Sequence, residues 1–191
     1  MAYNDFMKSF GRTTLICAPL LVGIVAVAQQ PLSRYEQMKK LEGYVGTWNL
    51  SGKLLIPDEF KGMPFEGTVK IGWTLNHTAL EFKASTKKSS QFIKPMEASG
   101  VVAFNDEGKP EFTASFAWSE DGRMLPLHGD FKGKTLVLEG ASTPKAWDHV
   151  QLRVKATDTK EGKSWDTYVA DGDREDLFIK MKLTKAKTGA R

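Results

Sequence analysis

Histidines are the first side chains to consider for acid–base or metal chemistry. His77, His128 and His149 stand far apart in a chain of 191 residues. Their positions give no metal-ligand spacing such as two histidines at i, i+4 with a carboxylate. His149 is followed on the same predicted strand face by Gln151 and Arg153. We therefore predict that His149 and Arg153 meet the carboxylate head group of a ligand, and a solvated outer face is the alternative.

Motifs for catalysis, phosphate binding and metal binding are not found. The sequence contains no Gly-x-Ser-x-Gly and no His-Glu-x-x-His, and its single cysteine is Cys17. The acidic run 171–176 lacks the ligand order of a calcium loop and fits a hairpin turn better. The Gly-Lys-Ser at 162–164 resembles the end of a phosphate loop, but position 157 is Thr instead of Gly. The sequence thus predicts no catalytic residue, no metal site and no cofactor.

Aromatic side chains at alternating positions indicate a different chemistry, the non-covalent binding of an apolar molecule. In a small barrel, inward-facing side chains either fill the core or line a cavity. We predict that Trp48 closes one end of such a barrel against a helix. Ordinary core packing is the alternative for every aromatic residue on these strands. The predicted cavity-lining residues are Trp73, Phe82, Phe116, Trp118 and Trp165.

One helix, over residues 31–41, is predicted before the strands begin. Ser33 with Glu36 three residues later has the form of a capping box, which satisfies free amides at a helix start. Tyr35 and Met38 fall on one side at helical spacing, together with residue 41. Gly43 is expected to end the helix. We interpret the helix as a plug or lid on the domain that follows.

The strands begin near Gly46, where the apolar period changes from about 3.6 to 2. Alternating runs then continue to residue 183, separated by turn-forming segments such as 105–108, 132–134 and 160–162. About ten strands joined mostly by short turns are typical of an antiparallel meander. The sequence therefore predicts an all-β fold, an antiparallel up-and-down β-barrel with a short N-terminal helix.

The N-terminal segment 1–28 is predicted to be a signal peptide. Lys8 and Arg12 precede an uncharged apolar run at 15–28, which ends in a small-x-small pattern. An uncleaved membrane anchor is the alternative. A signal peptide is favoured because the run is shorter than the roughly 20 apolar residues of a spanning helix. We expect an exported protein, periplasmic or secreted, with a barrel domain over 29–184 and a flexible basic tail over 185–191.

The charge balance constrains the class of partner. The net charge of +4 comes from 27 basic and 23 acidic residues spread along the chain. Nucleic-acid binders usually concentrate basic residues on one face, and the sequence shows no such concentration. We therefore predict a small hydrophobic ligand as partner, no nucleic acid, and no membrane span after signal cleavage.

A family resemblance rests on three short stretches of the chain. They are the Leu-Glu-Gly-Tyr-Val-Gly-Thr-Trp of residues 41–48, the turn region 100–108, and the Leu-Val-Leu-Glu-Gly of residues 136–140. In this order they resemble the calycin-like barrels, and more closely a bacterial exported family of uncharacterised lipocalin-like domains. The resemblance implies a barrel that binds small apolar molecules. Some related barrels bind haem through a histidine near the C-terminus, whereas the last histidine here is His149.

Two further functions stay open at this point. An enzyme on the same barrel would use carboxylates or His149 as acid and base. An envelope interaction module would instead present a filled interior and an exposed aromatic patch, with Trp147 and Phe178 as its candidates. A carrier of a small apolar ligand is the function that the sequence favours.

Overall fold

The computed structural model describes residues 33–55, 61–87, 95–118, 124–141, 151–171 and 174–187. All of them belong to one compact unit, Leu32–Arg191. The predicted signal peptide, 1–28, lies outside the described residues. Within the described part of the chain, no helix has the length and apolar character needed to cross a membrane.

Ten antiparallel strands close into one barrel, which confirms the predicted fold class. Each strand pairs with its neighbours in sequence, and β1 pairs with β10 to complete the ring. We call this last pairing the β1–β10 seam. The strands are β1 (Gly46–Leu54), β2 (Pro64–Thr74), β3 (Ala79–Thr86), β4 (Glu97–Asn105), β5 (Glu111–Trp118), β6 (Met124–Lys132), β7 (Thr135–Ala141), β8 (Gln151–Thr159), β9 (Gly162–Asp171) and β10 (Arg174–Lys185).

Side chains alternate between the interior and the solvent along these strands, as a half-buried antiparallel sheet requires. In β2, for example, Phe65, Val69 and Ile71 are buried, whereas Glu66 and Lys70 between them are exposed. Buried residues of nine strands and of the helical segment form one hydrophobic core inside the barrel, and β9 adds the partly buried Trp165 and Val169. The period-2 pattern of the sequence therefore marks which side chains face inward.

A short helix precedes the barrel and matches the predicted helix at its start. α1 (Arg34–Lys39) is followed by a 3₁₀ turn, Glu42–Tyr44. The predicted capping box is present: the Ser33 hydroxyl accepts from the Glu36 amide, and the Glu36 carboxylate accepts from the Ser33 amide. The expected end at Gly43 is wrong. α1 ends at Lys39 because the chain tightens into the 3₁₀ turn, which contains Gly43 itself.

One strand departs from simple alternation. Regular alternation would place Leu177 and Ile179 on one face of β10, but the strand contains an irregularity between them. Leu177 pairs with Tyr168, and Ile179 pairs with Thr167. The two partners are adjacent on β9, whereas Leu177 and Ile179 are two residues apart on β10. The extra residue, Phe178, shifts the strand by one position, as in a β-bulge. Leu177 and Ile179 therefore face opposite sides of the sheet.

The helix lies at the barrel end that has the short turns. Arg34 forms an ion pair with Asp106 in the β4–β5 turn. The Lys40 ammonium lies 5.8 Å from the centre of the Phe131 ring, close to the β6–β7 turn. Met38 and Leu41 are almost fully buried in the core. The helical segment thus covers this end of the barrel, in agreement with its interpretation as a plug.

Candidate interior binding site

An apolar cavity of about 40 Å³ lies in the interior of the barrel. Side chains of the helical segment close one side of it, and inward-facing side chains of the strands form the rest. The lining residues are Leu41, Tyr44, Ile71, Leu80, Phe82, Val102, Phe116, Leu136, Leu138, Val154, Ala156 and Trp165. Because this wall is apolar, the cavity suits an apolar guest better than water.

Three of the predicted ligand-binding residues meet at this cavity. Phe82, Phe116 and Trp165 come from β3, β5 and β9, and all three line it. The Phe82 ring centre lies 5.0 Å from that of Phe116 and 5.7 Å from that of Trp165. The interplanar angles of 61° and 68° are those of edge-to-face contacts, the arrangement that aromatic quadrupoles favour.

A glycine makes room for this aromatic cluster. Gly100 is the direct partner of both Phe82 on β3 and Phe116 on β5. A Cβ atom at position 100 would lie 2.4 Å from the Phe82 ring and 2.4 Å from the carbonyl oxygen of Ser115. The Phe82 ring therefore occupies the space that a side chain at position 100 would need.

Tyr44 closes the helical side of the cavity and is held from several directions. Its hydroxyl donates to the carbonyl oxygen of Ala156 at 3.3 Å, and its own carbonyl accepts from the Trp48 indole at 2.7 Å. The Lys163 ammonium lies 4.1 Å from the ring centre and also pairs with Asp158. Burial, with a smaller contribution from the charge of Asp158, raises the pKa of Tyr44 above its ordinary value. The hydroxyl therefore stays protonated near neutral pH.

Two further predicted residues on strands lie elsewhere or are only partly described. Trp73 is half-buried against the core and does not line the cavity; its ring centre lies 5.3 Å from that of His77 in the β2–β3 turn. Trp118 is the last residue of β5, opposite Ala98 of β4, and its side chain lies outside the described residues. His149 lies outside them as well.

Arg153 lies on the outer face of β8, away from the cavity. Its guanidinium contacts Glu139 on β7 and Glu175 on β10, each at 2.7 Å. Lys155 extends this group, since its ammonium lies 3.0 Å from Glu175 and 4.0 Å from the centre of the Tyr168 ring. The hydrogen bond that Arg153 donates to the Glu139 carboxylate raises the pKa of Arg153 above its ordinary value. Arg153 therefore occupies the outer-face position that the sequence had left as the alternative.

Sequence reasoning missed the contribution of the helical segment to the cavity. Leu41 and Tyr44 line it. The sequence placed them only in the predicted plug helix and in the stretch 41–48 that carries the family resemblance. A signal was available in the sequence, because a plug with a helical apolar face must place that face against the interior. What the sequence did not reveal is how deep the two side chains reach.

Comparison with known protein families and with curated proteins finds no match for the chain. The resemblance noted in the sequence is supported only at the level of architecture, since a ten-stranded antiparallel barrel is compatible with a calycin-like fold. In the described part of the chain, no three His, Cys, Asp or Glu residues are grouped so that they could hold a metal ion. The interior cavity is therefore the feature from which a function can be argued.

Proposed function

We propose that this protein is an exported, lipocalin-like barrel that binds a compact apolar ligand in its interior without covalent chemistry. The observation that carries the proposal is the convergence of Phe82, Phe116 and Trp165 on one apolar cavity. The signal-like segment 1–28 supports export, and the closed barrel with a plug supports the lipocalin-like assignment.

The size of the cavity restricts the ligand. A water needs about 10–15 Å³ of such space, so about 40 Å³ exceeds the room for one or two waters. Pockets for drug-sized molecules measure roughly 300–1,000 Å³, far above this value. A long-chain lipid or a haem would require extensive displacement of core side chains. We therefore propose a compact ligand, the size of a small aromatic or branched hydrocarbon, whose entry requires the aromatic rings to shift.

Methyl groups around the cavity allow a direct test. In ¹³C methyl spectra of the protein, benzene should cause saturable shifts at Leu80, Leu138 and Val154, which line the cavity. Methyls of Leu50 and Leu183 are buried but do not line it, so they should shift much less. Equal small shifts at all buried methyls would contradict a defined interior site.

A pair of matched variants sharpens this test. Ala156→Val should fill the cavity and abolish the benzene response, because Ala156 is part of its wall. Ala114→Val adds the same two carbon atoms at a buried position that does not line the cavity. Both variants carry the risk of overpacking, so their thermal unfolding is measured beside the titration. An unchanged response in a folded Ala156→Val protein would refute the proposal.

The envelope interaction module is a second candidate, favoured by the dense interior. Buried side chains of the helical segment and of the strands form one hydrophobic core around the small cavity. Of its predicted aromatic patch, Phe178 is half-buried against the core and Trp147 lies outside the described residues. For the enzyme alternative, Tyr44 is the one ionisable residue among the described residues that line the cavity, and its raised pKa keeps it protonated, so it cannot act as a general base near neutral pH. The apolar cavity therefore supports ligand binding better than either alternative.

A further inference from the structure

A second concave site lies on the outside of the barrel, across the β1–β10 seam. It is a groove of about 710 Å³, within the range of roughly 300–1,000 Å³ that is usual for small-molecule sites. None of the residues that line it lines the interior cavity. An inference from this groove therefore does not depend on the function proposed above.

Positive charge predominates around the groove. Among the residues that the structure describes, five lysines and two glutamates line it. One of the glutamates, Glu161, is neutralised by an ion pair with Lys182, and the other, Glu66, pairs with Lys87 outside the groove. We call this site the cationic groove, and its lysines are Lys53, Lys160, Lys163, Lys180 and Lys182. Lys163 is buried and pairs with Asp158, so the accessible positive charge comes from the other lysines.

Two of these lysines stand directly opposite each other. Lys53 on β1 and Lys180 on β10 are register partners, and both are exposed. Like charges at directly opposite positions destabilise a strand pair. Another register pair, Lys70 and Lys83, differs because Lys83 has an ion pair with Glu81 at 2.9 Å. Within the part of the chain that the structure describes, no ion pair is found for Lys53 or Lys180.

An anion between the two ammonium groups would remove this repulsion. A carboxylate can accept hydrogen bonds from both lysines at once, since each of its two oxygens has free lone pairs. Charge-assisted hydrogen bonds of this kind are stronger than neutral ones. The lysine pair is therefore suited to bind a carboxylate head group.

Apolar residues next to the lysines indicate the rest of the ligand. Leu55 and Pro64 also line the cationic groove. Pro64 is exposed, whereas Leu55 is half-buried. A ligand with a hydrocarbon chain could cover these residues while its charge meets the lysines. The combination distinguishes the groove from a simple anion site, which would need no apolar wall.

We propose that the cationic groove binds an amphiphilic carboxylate, with its head group between Lys53 and Lys180 and its hydrocarbon chain against the apolar lining. Binding here is electrostatic at one end and hydrophobic at the other. It should weaken as ionic strength rises, because salt screens exposed charges. The interior cavity, with its apolar wall, should show no such dependence for benzene.

Octanoate is the probe for this site, and octanol and acetate are its controls. In ¹⁵N–¹H spectra of the whole protein, octanoate should shift the amides of residues 51–53 and 180–182. Octanol lacks the charge and acetate lacks the chain, so each should bind at least about tenfold more weakly. Acetate binding as tightly as octanoate would overturn the amphiphile assignment. If octanoate shifts only the interior methyls of Leu80 and Val154 in ¹³C methyl spectra, and none of these amides, the groove is not the site.

Two double variants with the same change in charge test the lysines. Lys53→Gln with Lys180→Gln should weaken octanoate binding about tenfold. Lys70→Gln with Lys83→Gln removes the same number of charges from a lysine register pair outside the groove and should change affinity less than about twofold. Equal weakening in both variants would refute the proposal, since it would show a response to net charge alone.

The folding of these variants is checked independently of binding. Removal of the Lys53–Lys180 repulsion should leave the midpoint of thermal unfolding unchanged or raise it. A folded double variant that binds octanoate as tightly as the original protein would also overturn the proposed site.

Discussion

At the scale of single residues, the interior depends on small side chains placed opposite large ones. Gly100 lies under the Phe82 ring, and Gly52 lies under the Phe65 ring at a similarly short distance. Both glycines face inward on their strands, where a larger residue would displace an aromatic ring. The position of the aromatic cluster is thus set as much by its glycine neighbour as by its own rings.

The first prediction concerns Gly100. In Gly100→Ala the new methyl group would collide with the Phe82 ring and with the backbone at Ser115. We expect a loss of about 1–3 kcal/mol in the free energy of unfolding, as for other overpacked cores. Gly72→Ala is the matched control, because among the described residues no atom beyond its chain neighbours lies within 4 Å of its added Cβ. Urea unfolding measures both, and equal stabilities would show that the ring moves aside at no cost.

A second prediction follows from the raised pKa of Tyr44. The folded protein holds the phenolic proton more tightly than the unfolded chain, whose tyrosines titrate near pH 10. The resulting stability is complete below pH 10 and is lost as pH rises above that value. The free energy of unfolding should therefore fall above pH 10, by at most about 1.4 kcal/mol per pH unit for this one group.

Tyr44→Phe isolates this effect from the other groups that titrate at high pH. The variant lacks the ionisable hydroxyl and its hydrogen bond to Ala156, so it should be less stable at pH 8. The difference between the two proteins should shrink between pH 10 and 11. A difference that stays constant over this range would show that the folded state does not raise the pKa of Tyr44.

At the scale of elements, the plug is held mainly by its apolar contacts. Met38 is 1% exposed, whereas the Arg34 and Asp106 side chains of the neighbouring ion pair are each 45% exposed. Exposed ion pairs contribute about 0–1 kcal/mol, whereas truncation of a buried methionine costs about 2–5 kcal/mol. The helical segment therefore stays in place because of what it buries.

The third prediction separates these two contributions. Met38→Ala should lower the free energy of unfolding by about 2–5 kcal/mol, and Arg34→Ala should lower it by less than about 1 kcal/mol. Hydrogen exchange of the Tyr44 and Leu41 amides should also become faster in Met38→Ala, because the plug then opens more easily. A larger loss in Arg34→Ala would mean that the ion pair, and not the buried side chain, holds the segment.

Most elements of this fold were predictable because their physics is local. The capping box of Ser33 and Glu36 and the period-2 runs of the strands depend on neighbours only a few residues away. The same alternation placed Phe82, Phe116 and Trp165 on the apolar faces of their strands. It did not decide whether Arg153 faces the interior or the solvent, because a water-filled interior and an outer surface both favour polar side chains.

The features that escaped prediction depend on contacts between distant parts of the chain. The β-bulge at Phe178 arises from how β10 fits β9, and residues 177–179 alone carry no turn signal. Leu41 and Tyr44 line the cavity because of where the plug sits on the barrel. The cationic groove needs the register of β1 against β10, which brings Lys53 to Lys180 from opposite ends of the domain.

At the scale of the whole molecule, the barrel contains one pairing between strands that are distant in sequence. Nine strand pairs are hairpin neighbours, whereas the β1–β10 seam joins the first strand to the last. Hairpins close short loops, whereas the seam closes the loop formed by the chain between the first and the last strand. The loss of chain entropy on closure is therefore larger for the seam. Closure at the seam removes the two free edges that an open sheet would expose. We therefore expect the seam to be the last pairing to form during folding and the one that completes the fold.

The last prediction tests this order of events with two buried leucines. Leu183 lies in the seam opposite Leu50, and Leu80 lies in the β2–β3 hairpin opposite Trp73. Each Leu→Ala variant should cost about 2–5 kcal/mol, since both side chains are deeply buried. If hairpins form before the seam, Leu183→Ala should mainly accelerate unfolding, whereas Leu80→Ala should also slow folding. Stopped-flow folding and unfolding rates in urea measure this partition. A slower folding rate in Leu183→Ala than in Leu80→Ala would show that the seam forms early, and the barrel would then close around its ends before its hairpins are complete.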